Sequence, residues 1–148
     1  MASMITVGET SGFGWEHFHH DADIGVRGRG RSVAEAFEQA AVGMTRIVTY
    51  SPIAADIQID VECRQSDLEL LFVDWLDAII YEMATRNMLF GCFAVRVEEL
   101  ALRGSLFGEP VDVARHASAC EPKGATLTAL KVTQDDSGIW SAQCVIDV

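Results

Sequence analysis

The sequence predicts an α+β fold: a single domain with a mostly antiparallel sheet and two helices packed on one face. Three observations predict it. The chain has 148 residues, one domain's worth of protein. Two amphipathic segments, each opened by a capping box, alternate with short strand-like runs. From Phe90 onward everything reads as strand and turn, closing in a tight hairpin. Hydrophobic residues at 49% against 22% charged lie in the globular range and exclude an intrinsically disordered chain.

Residues 1–14, with Ser3, Ser11 and three glycines, read as a flexible N-terminal tail, which leaves 15–148 as the domain. Trp15 to His19 forms a short strand. Ile24 to Gly28 forms another, with Ile24 and Val26 on one face and Gly25 and Arg27 on the other. Ser32-Val33-Ala34-Glu35 is a capping box, in which the serine oxygen accepts a backbone N–H and the glutamate reaches back. Val33, Ala36, Phe37, Ala40, Ala41, Met44 and Ile47 then recur at helical spacing, until Tyr50-Ser51-Pro52 stops the helix.

Ile57, Ile59 and Val61 alternate with Gln58, Asp60 and Glu62, the period of a half-buried strand. Ser66-Asp67-Leu68-Glu69 opens a longer helix with Leu68, Leu71, Phe72, Trp75, Ile79, Ile80 and Met83 on its buried stripe, and Asn87 ends it. Phe93, Val95 and Val97 mark the next strand, and Leu100 to Phe107 the one after, ending at Gly108-Glu109-Pro110. A loop through His116 and Pro122 leads to a strand from Ala125 to Val132. Asp135-Asp136-Ser137-Gly138 then turns into Trp140 to Asp147. The total is two helices and about seven strands in one sheet.

Eleven Lys and Arg against 22 Asp and Glu give a net charge of −11. Such a field repels phosphate backbones and anionic membranes, and favours a basic protein or a cation. The most apolar stretch, Leu68 to Ile80, carries Glu69, Asp74 and Asp77, so no membrane-spanning helix is expected. The N-terminus lacks the basic start and apolar block of a secretory signal. Cys63, Cys92, Cys120 and Cys144 lie 24 to 29 positions apart with no CxxC pair, as expected of buried thiols in a reducing cytoplasm.

Four places offer chemistry. In Trp15-Glu16-His17-Phe18-His19-His20-Asp21-Ala22-Asp23, histidines and carboxylates of metal-ligand type crowd together, although neighbours on a strand point to opposite faces. A polar strand end is the alternative. Arg27-Gly28-Arg29-Gly30-Arg31, the basic run, precedes a helix N-terminus that favours anions, but it matches no phosphate-loop fingerprint and reads equally as a solvated turn. Asp147, beside Val148 at the end of the sequence, places hard oxygen groups within reach of one cation, where a frayed end is the alternative. His116 and Lys123 sit in a loop, where exposure is the default. No GxSxG elbow or cysteine–base pair suggests nucleophilic catalysis.

Taken together, Trp15 through Val48 resemble the opening of the archease family: an aromatic-Glu-His start, His-x-Ala-Asp followed by Ile or Val and Gly, then Ser-x-x-Glu-Ala-Phe and a small-residue helix. Asp67 to Asp77, Gly108 to Asp112 with His116, and the closing Ile146-Asp147-Val148 match as well. The likeness spans nearly all of residues 15–148. The resemblance implies a non-catalytic activator of an RtcB-type RNA ligase, which joins 3′-phosphate or cyclic-phosphate RNA ends to 5′-hydroxyls in tRNA splicing and RNA repair. That ligase loads GMP onto its own histidine, and archease promotes the loading and multiple turnover. RNA is met only through the ligase.

The resemblance further implies a bound cation, calcium or another hard divalent ion such as magnesium, at Asp23, Asp147 and Val148. It gives Lys123 a part in ligase activation. Leu127 and Thr128 stand where the family has Tyr-His, so whatever that pair contributes is absent here. Two other readings compete: a small metal-dependent hydrolase or transferase using His17, His19, Asp21 and Asp23, and a chaperone-like binding domain.

Overall fold

A computed structural model of the chain describes residues 5–7 and 13–148. In chain order they form β1 (Ile5–Val7), β2 (Gly14–His20), β3 (Asp23–Gly30), α1 (Val33–Val48), β4 (Ile57–Arg64), α2 (Leu68–Arg86), β5 (Met88–Glu98), β6 (Ala101–Pro110), α3 (Val113–His116), β7 (Gly124–Ala125), β8 (Lys131–Gln134) and β9 (Trp140–Asp147). The class is α+β as expected, but the strands make two sheets rather than one. A six-stranded sheet runs β1-β2-β3-β9-β7, with β8 also on β9, and a three-stranded sheet runs β4-β6-β5. Every pairing is antiparallel. Period-2 patterning tells which face of a strand is buried, not which strand lies beside it, so the division was invisible locally.

Four further differences have local causes. Ile5–Val7, expected in a loose tail, pairs with β2, while residues 1–4 and 8–12 of that tail lie outside the described residues. The expected strand from Ala125 to Val132 is broken into β7 and β8 by a turn with Ala129 at φ 55°. Helix α2 is capped by Asp67 rather than Ser66: its carboxylate accepts the Leu70 N–H at 2.8 Å. Asp caps as well as Ser, and its charge also suits the positive helix start. The loop at His116 contains the one-turn helix α3, too short to show a period.

The Ser32 cap behaves as expected, accepting the Glu35 N–H at 3.1 Å, while the Glu35 carboxylate returns to the N–H of Arg31, one residue before the cap. Asn87 ends α2 in the left-handed conformation, φ 53°. Both long helices touch both sheets, and the core fills the space among them. Trp75, Phe37, Phe72 and Phe90 are fully buried at its centre. Each such side chain contributes about 1.5–3 kcal/mol by leaving water. The Trp75 indole N–H donates to Phe37 O at 3.0 Å, and Gly104 makes room for its ring: a Cβ there would lie 2.3 Å from it. Gly28 does the same for α1, where a Cβ would stand 2.2 Å from Ala36 O and Ala40 N. Among the described residues, no helix is long and apolar enough to cross a membrane.

Helix carboxylates meet strand edges at three places. Glu38 accepts the Val95 N–H of β5 at 2.8 Å, Asp77 the Ala125 N–H of β7 at 2.8 Å, and Glu69 the Val132 N–H of β8 at 3.4 Å.

Candidate metal and activation site

The register of the larger sheet builds the site. On β3 and β9, Val26 lies opposite Cys144 and Ile24 opposite Ile146. These residues face the core: Val26, Cys144 and Ile146 are fully buried. One step further along the pair stand Asp23 and Asp147, on the opposite face by alternation. His20 of β2 is registered with Asp23, and Gly124 of β7 with Asp147. His20, Asp23, Asp147 and Gly124 thus form one row across four strands. Asp147 is exposed, Asp23 half-buried, and Val148 half-buried with its side chain packed on the core.

Lys123 meets this row from the residue just before β7. Its N–H donates to Asp147 O at 2.7 Å, and its side chain is exposed. Three of the positions singled out from sequence, Asp23, Asp147 and Lys123, therefore come together although they are distant in the chain. Asp77 was not singled out. On α2 it reads as an ordinary polar residue, and only the bond to Ala125 reveals its place beside β7.

The donor set fits a hard cation. Two carboxylates and a main-chain oxygen of Val148 are the oxygen ligands that calcium and magnesium prefer. Among the described residues no three His, Cys, Asp or Glu side chains converge as a cage. A cation at this row would therefore draw further ligands from water or main chain, which both ions accept readily.

The histidine cluster does not converge. His17 turns toward α1, donating from Nε2 to Gly43 O at 2.7 Å, with the Trp15 ring 4.8 Å away. Burial lowers its pKa below the usual histidine value, outweighing the Gly43 bond, which favours the charged form. His19 is exposed on the side of Ile24, His20 lies on the side of Asp23, and Asp21 sits in the turn at φ 53°. A hydrolytic site needing His17, His19, Asp21 and Asp23 around one metal is not favoured by this geometry.

Arg27 to Gly30 of the basic run lie in β3 rather than in a solvated turn, and only Arg31, exposed in the bend after the strand, fits the turn reading. Arg27 donates to Glu16 at 2.5 Å and to Gln143 at 2.8 Å, and Arg29 pairs with Glu16 at 3.1 Å. Glu16 and Gln143 come from the two neighbouring strands, so Arg27 is held within the sheet and neither Arg27 nor Arg29 is left free for an anion.

His116 is likewise not an exposed loop residue but fully buried. Its Nδ1 accepts the Asp112 N–H at 2.9 Å and its Nε2 lies 3.1 Å from Glu109. The Thr49 hydroxyl donates to His116 O. Glu109 also accepts the Ala54 N–H at 2.6 Å and a forked contact from Arg115. Arg115, first, and the Ala54 N–H, next, hold the Glu109 carboxyl down to about 2. These groups satisfy one another and read as a clasp between α3 and the segment after α1. The thiols also depart from expectation in one case: Cys144 is buried and Cys63 and Cys120 half-buried, but Cys92 is exposed.

A model of the Archease protein family (MTH1598/TM1083) matches residues 15–148. The chain is 36% identical over 139 residues to Protein archease of Pyrococcus furiosus, covering 90% of this chain and 98% of that protein. It is 31% identical over 137 residues to Protein archease of Sulfolobus acidocaldarius, covering 90% and 98%. The solution structure of Methanobacterium thermoautotrophicum protein 1598 superposes with a TM-score of 0.80 at 29% identity, covering 91% of this chain and 99% of that one. A crystal structure from Thermotoga maritima, described as an archease and possible chaperone, superposes with a TM-score of 0.60 at 18% identity, covering 87% and 93%. This last likeness bears on the fold alone.

Proposed function

The chain belongs to the archease family, and on that premise we propose that it is a metal-binding, non-catalytic activator of an RtcB-type RNA ligase in tRNA splicing and RNA repair. The observation that carries the reading is the meeting of Asp23 on β3, Asp147 on β9 and Lys123 just before β7. Asp23 and Asp147, with a main-chain oxygen of Val148, hold calcium or magnesium, which neutralises the paired carboxylates and stiffens the strand ends. Lys123, a compact charge on a flexible stem, reaches from this edge to an acidic or phosphate group on the ligase–GTP complex. The net charge of −11 steers the chain toward a basic ligase and away from RNA itself, so RNA is met through the ligase. A cytoplasmic setting follows from that role.

The test is guanylylation of an RtcB-type ligase with GTP and divalent metal, with and without this protein. The expected result is faster GMP loading and multiple rounds of RNA joining. Unchanged loading refutes the reading. Protection of the ligase from heat inactivation without faster loading would establish the chaperone-like alternative instead.

A further inference from the structure

We propose that Asp77 is a positioning residue for this site: it clamps β7 from the helix side, and so fixes Lys123 against Asp147. The inference rests on the function proposed above.

Strand β7 has two residues, registered as Gly124 with Asp147 and Ala125 with Ile146. A strand this short has little ladder of its own. Before it stands Pro122, which has no N–H to donate, and after it the chain turns away through Ala129 at φ 55°. The backbone bonds that flank it all join β9: Lys123 N–H to Asp147 O at 2.7 Å, Thr126 N–H to Val145 O at 3.0 Å and Val145 N–H to Thr128 O at 3.1 Å. The Thr126 hydroxyl adds a fourth bond, to Val145 O, at 2.9 Å. On its other edge, the Ala125 N–H donates to Asp77 Oδ1 at 2.8 Å. A Cβ on Gly124 would lie 3.7 Å from the same oxygen, the only heavy atom of the described residues beyond its chain neighbours within 4 Å. Without Asp77, the segment bearing Lys123 would be held along one edge only.

Asp77 is well placed for this work. It projects from α2 beside Leu76 and Ile80, both buried in the core, so its backbone is fixed by packing. Among the described residues it makes no ion pair. Burial raises its pKa above the usual aspartate value, and the Ala125 N–H opposes that shift. A carboxylate kept half-buried with a backbone N–H as its partner makes a stronger hold than a neutral acceptor. The neighbouring Asp74 is engaged elsewhere, accepting from Gln65 at 2.8 Å. The chain of positions therefore runs from the core through Asp77 and Ala125 to Lys123, and through the Lys123 N–H to Asp147.

The experiment compares wild type, Asp77→Ala and Asp77→Asn, the last retaining an acceptor oxygen of the same size. Amide hydrogen exchange is read at Lys123, Thr126 and Val26, beside calcium titration and ligase guanylylation. In Asp77→Ala, the Lys123 and Thr126 amides should exchange about three- to tenfold faster, the change expected on losing one hydrogen bond. Val26, in the β3–β9 ladder, should be unchanged. Calcium affinity and stimulation of the ligase should fall several-fold, and Asp77→Asn should restore most of both. Unchanged exchange at Lys123, equal acceleration at Val26, or an Asn variant as impaired as Ala would each overturn the positioning role. A wild-type chain that fails to stimulate the ligase would sink the proposed function alone, because exchange and calcium binding still judge Asp77.

Discussion

Glu109 and Arg115 meet through a forked contact, two guanidinium nitrogens on the two oxygens of one carboxylate. The carboxylate is 8% exposed and the guanidinium side 48%, so the pair sits at the lip of the core. Its electrostatic partners are His116 and the Ala54 N–H on the carboxylate side, and Asp112 and Asp56 on the arginine side.

This pair makes stability depend on acid in a definite window. The Glu109 carboxyl titrates at 4.5 in the open chain and about 2 in the fold. A depressed carboxyl pKa stabilises the fold fully above the unfolded value, and that contribution is lost as pH falls from about 4.5 toward 2. Glu109→Gln should be less stable than wild type at pH 7, and the two should converge through that window. Denaturant titrations at several pH values check it, and parallel curves would remove Glu109 from the acid response.

Gly28→Ala places a Cβ 2.2 Å from two backbone atoms of α1, which cannot swing aside as a side chain can. The expected loss is about 3 kcal/mol or more, at the upper end of overpacking costs. Gly124→Ala meets no described atom beyond its chain neighbours closer than 3.7 Å and should stay within about 0.5 kcal/mol of wild type. Equal melting temperatures for the two variants would mean that α1 does not lie this close to β3.

If the proposed site binds calcium in the fold and not in the open chain, calcium at 100 times its dissociation constant should raise the stability of the wild-type chain by about 2.7 kcal/mol. Asp23→Ala and Asp147→Ala should each abolish that gain and most ligase activation while melting normally in EDTA. Lys123→Ala should keep the calcium gain and lose activation. Full activation by Asp23→Ala would show that the row of carboxylates is not the metal site.

Thiol alkylation should single out Cys92, the exposed cysteine, in the folded protein. Burial pushes the Cys144 thiol up to about 12 and the Cys63 thiol up to about 11, so neither carries much thiolate at neutral pH. Mass-mapped labelling with iodoacetamide checks the order, and faster modification of Cys144 would contradict its burial.

The sequence was most legible where a signal repeats. The buried stripe of α2, from Leu71 to Met83, and the alternation of β4 each repeat one period several times over. Helix α3 and strand β7 are shorter than a period can reveal. The site followed the same rule. Asp23, Asp147 and Lys123 were reached through a resemblance of motifs, whereas their adjacency depends on strand register, which no local pattern encodes. Asp77 and the Glu109–His116 clasp depend on contacts between elements far apart in sequence, so composition and spacing pass over them.

The bonds from Glu38, Glu69 and Asp77 to strand N–H groups give the acidic surplus a second use. Unpaired strand edges are templates on which a neighbouring molecule can add its own strand. Here β5, β7 and β8 each have an edge N–H already taken by a helix carboxylate. On β4, which among the described residues pairs only with β6, the exposed Gln58, Asp60, Glu62 and Arg64 put both signs of charge along the strand. Replacing these acids to make the chain less negative would therefore open the sheets to edge-to-edge aggregation, quite apart from any effect on a partner.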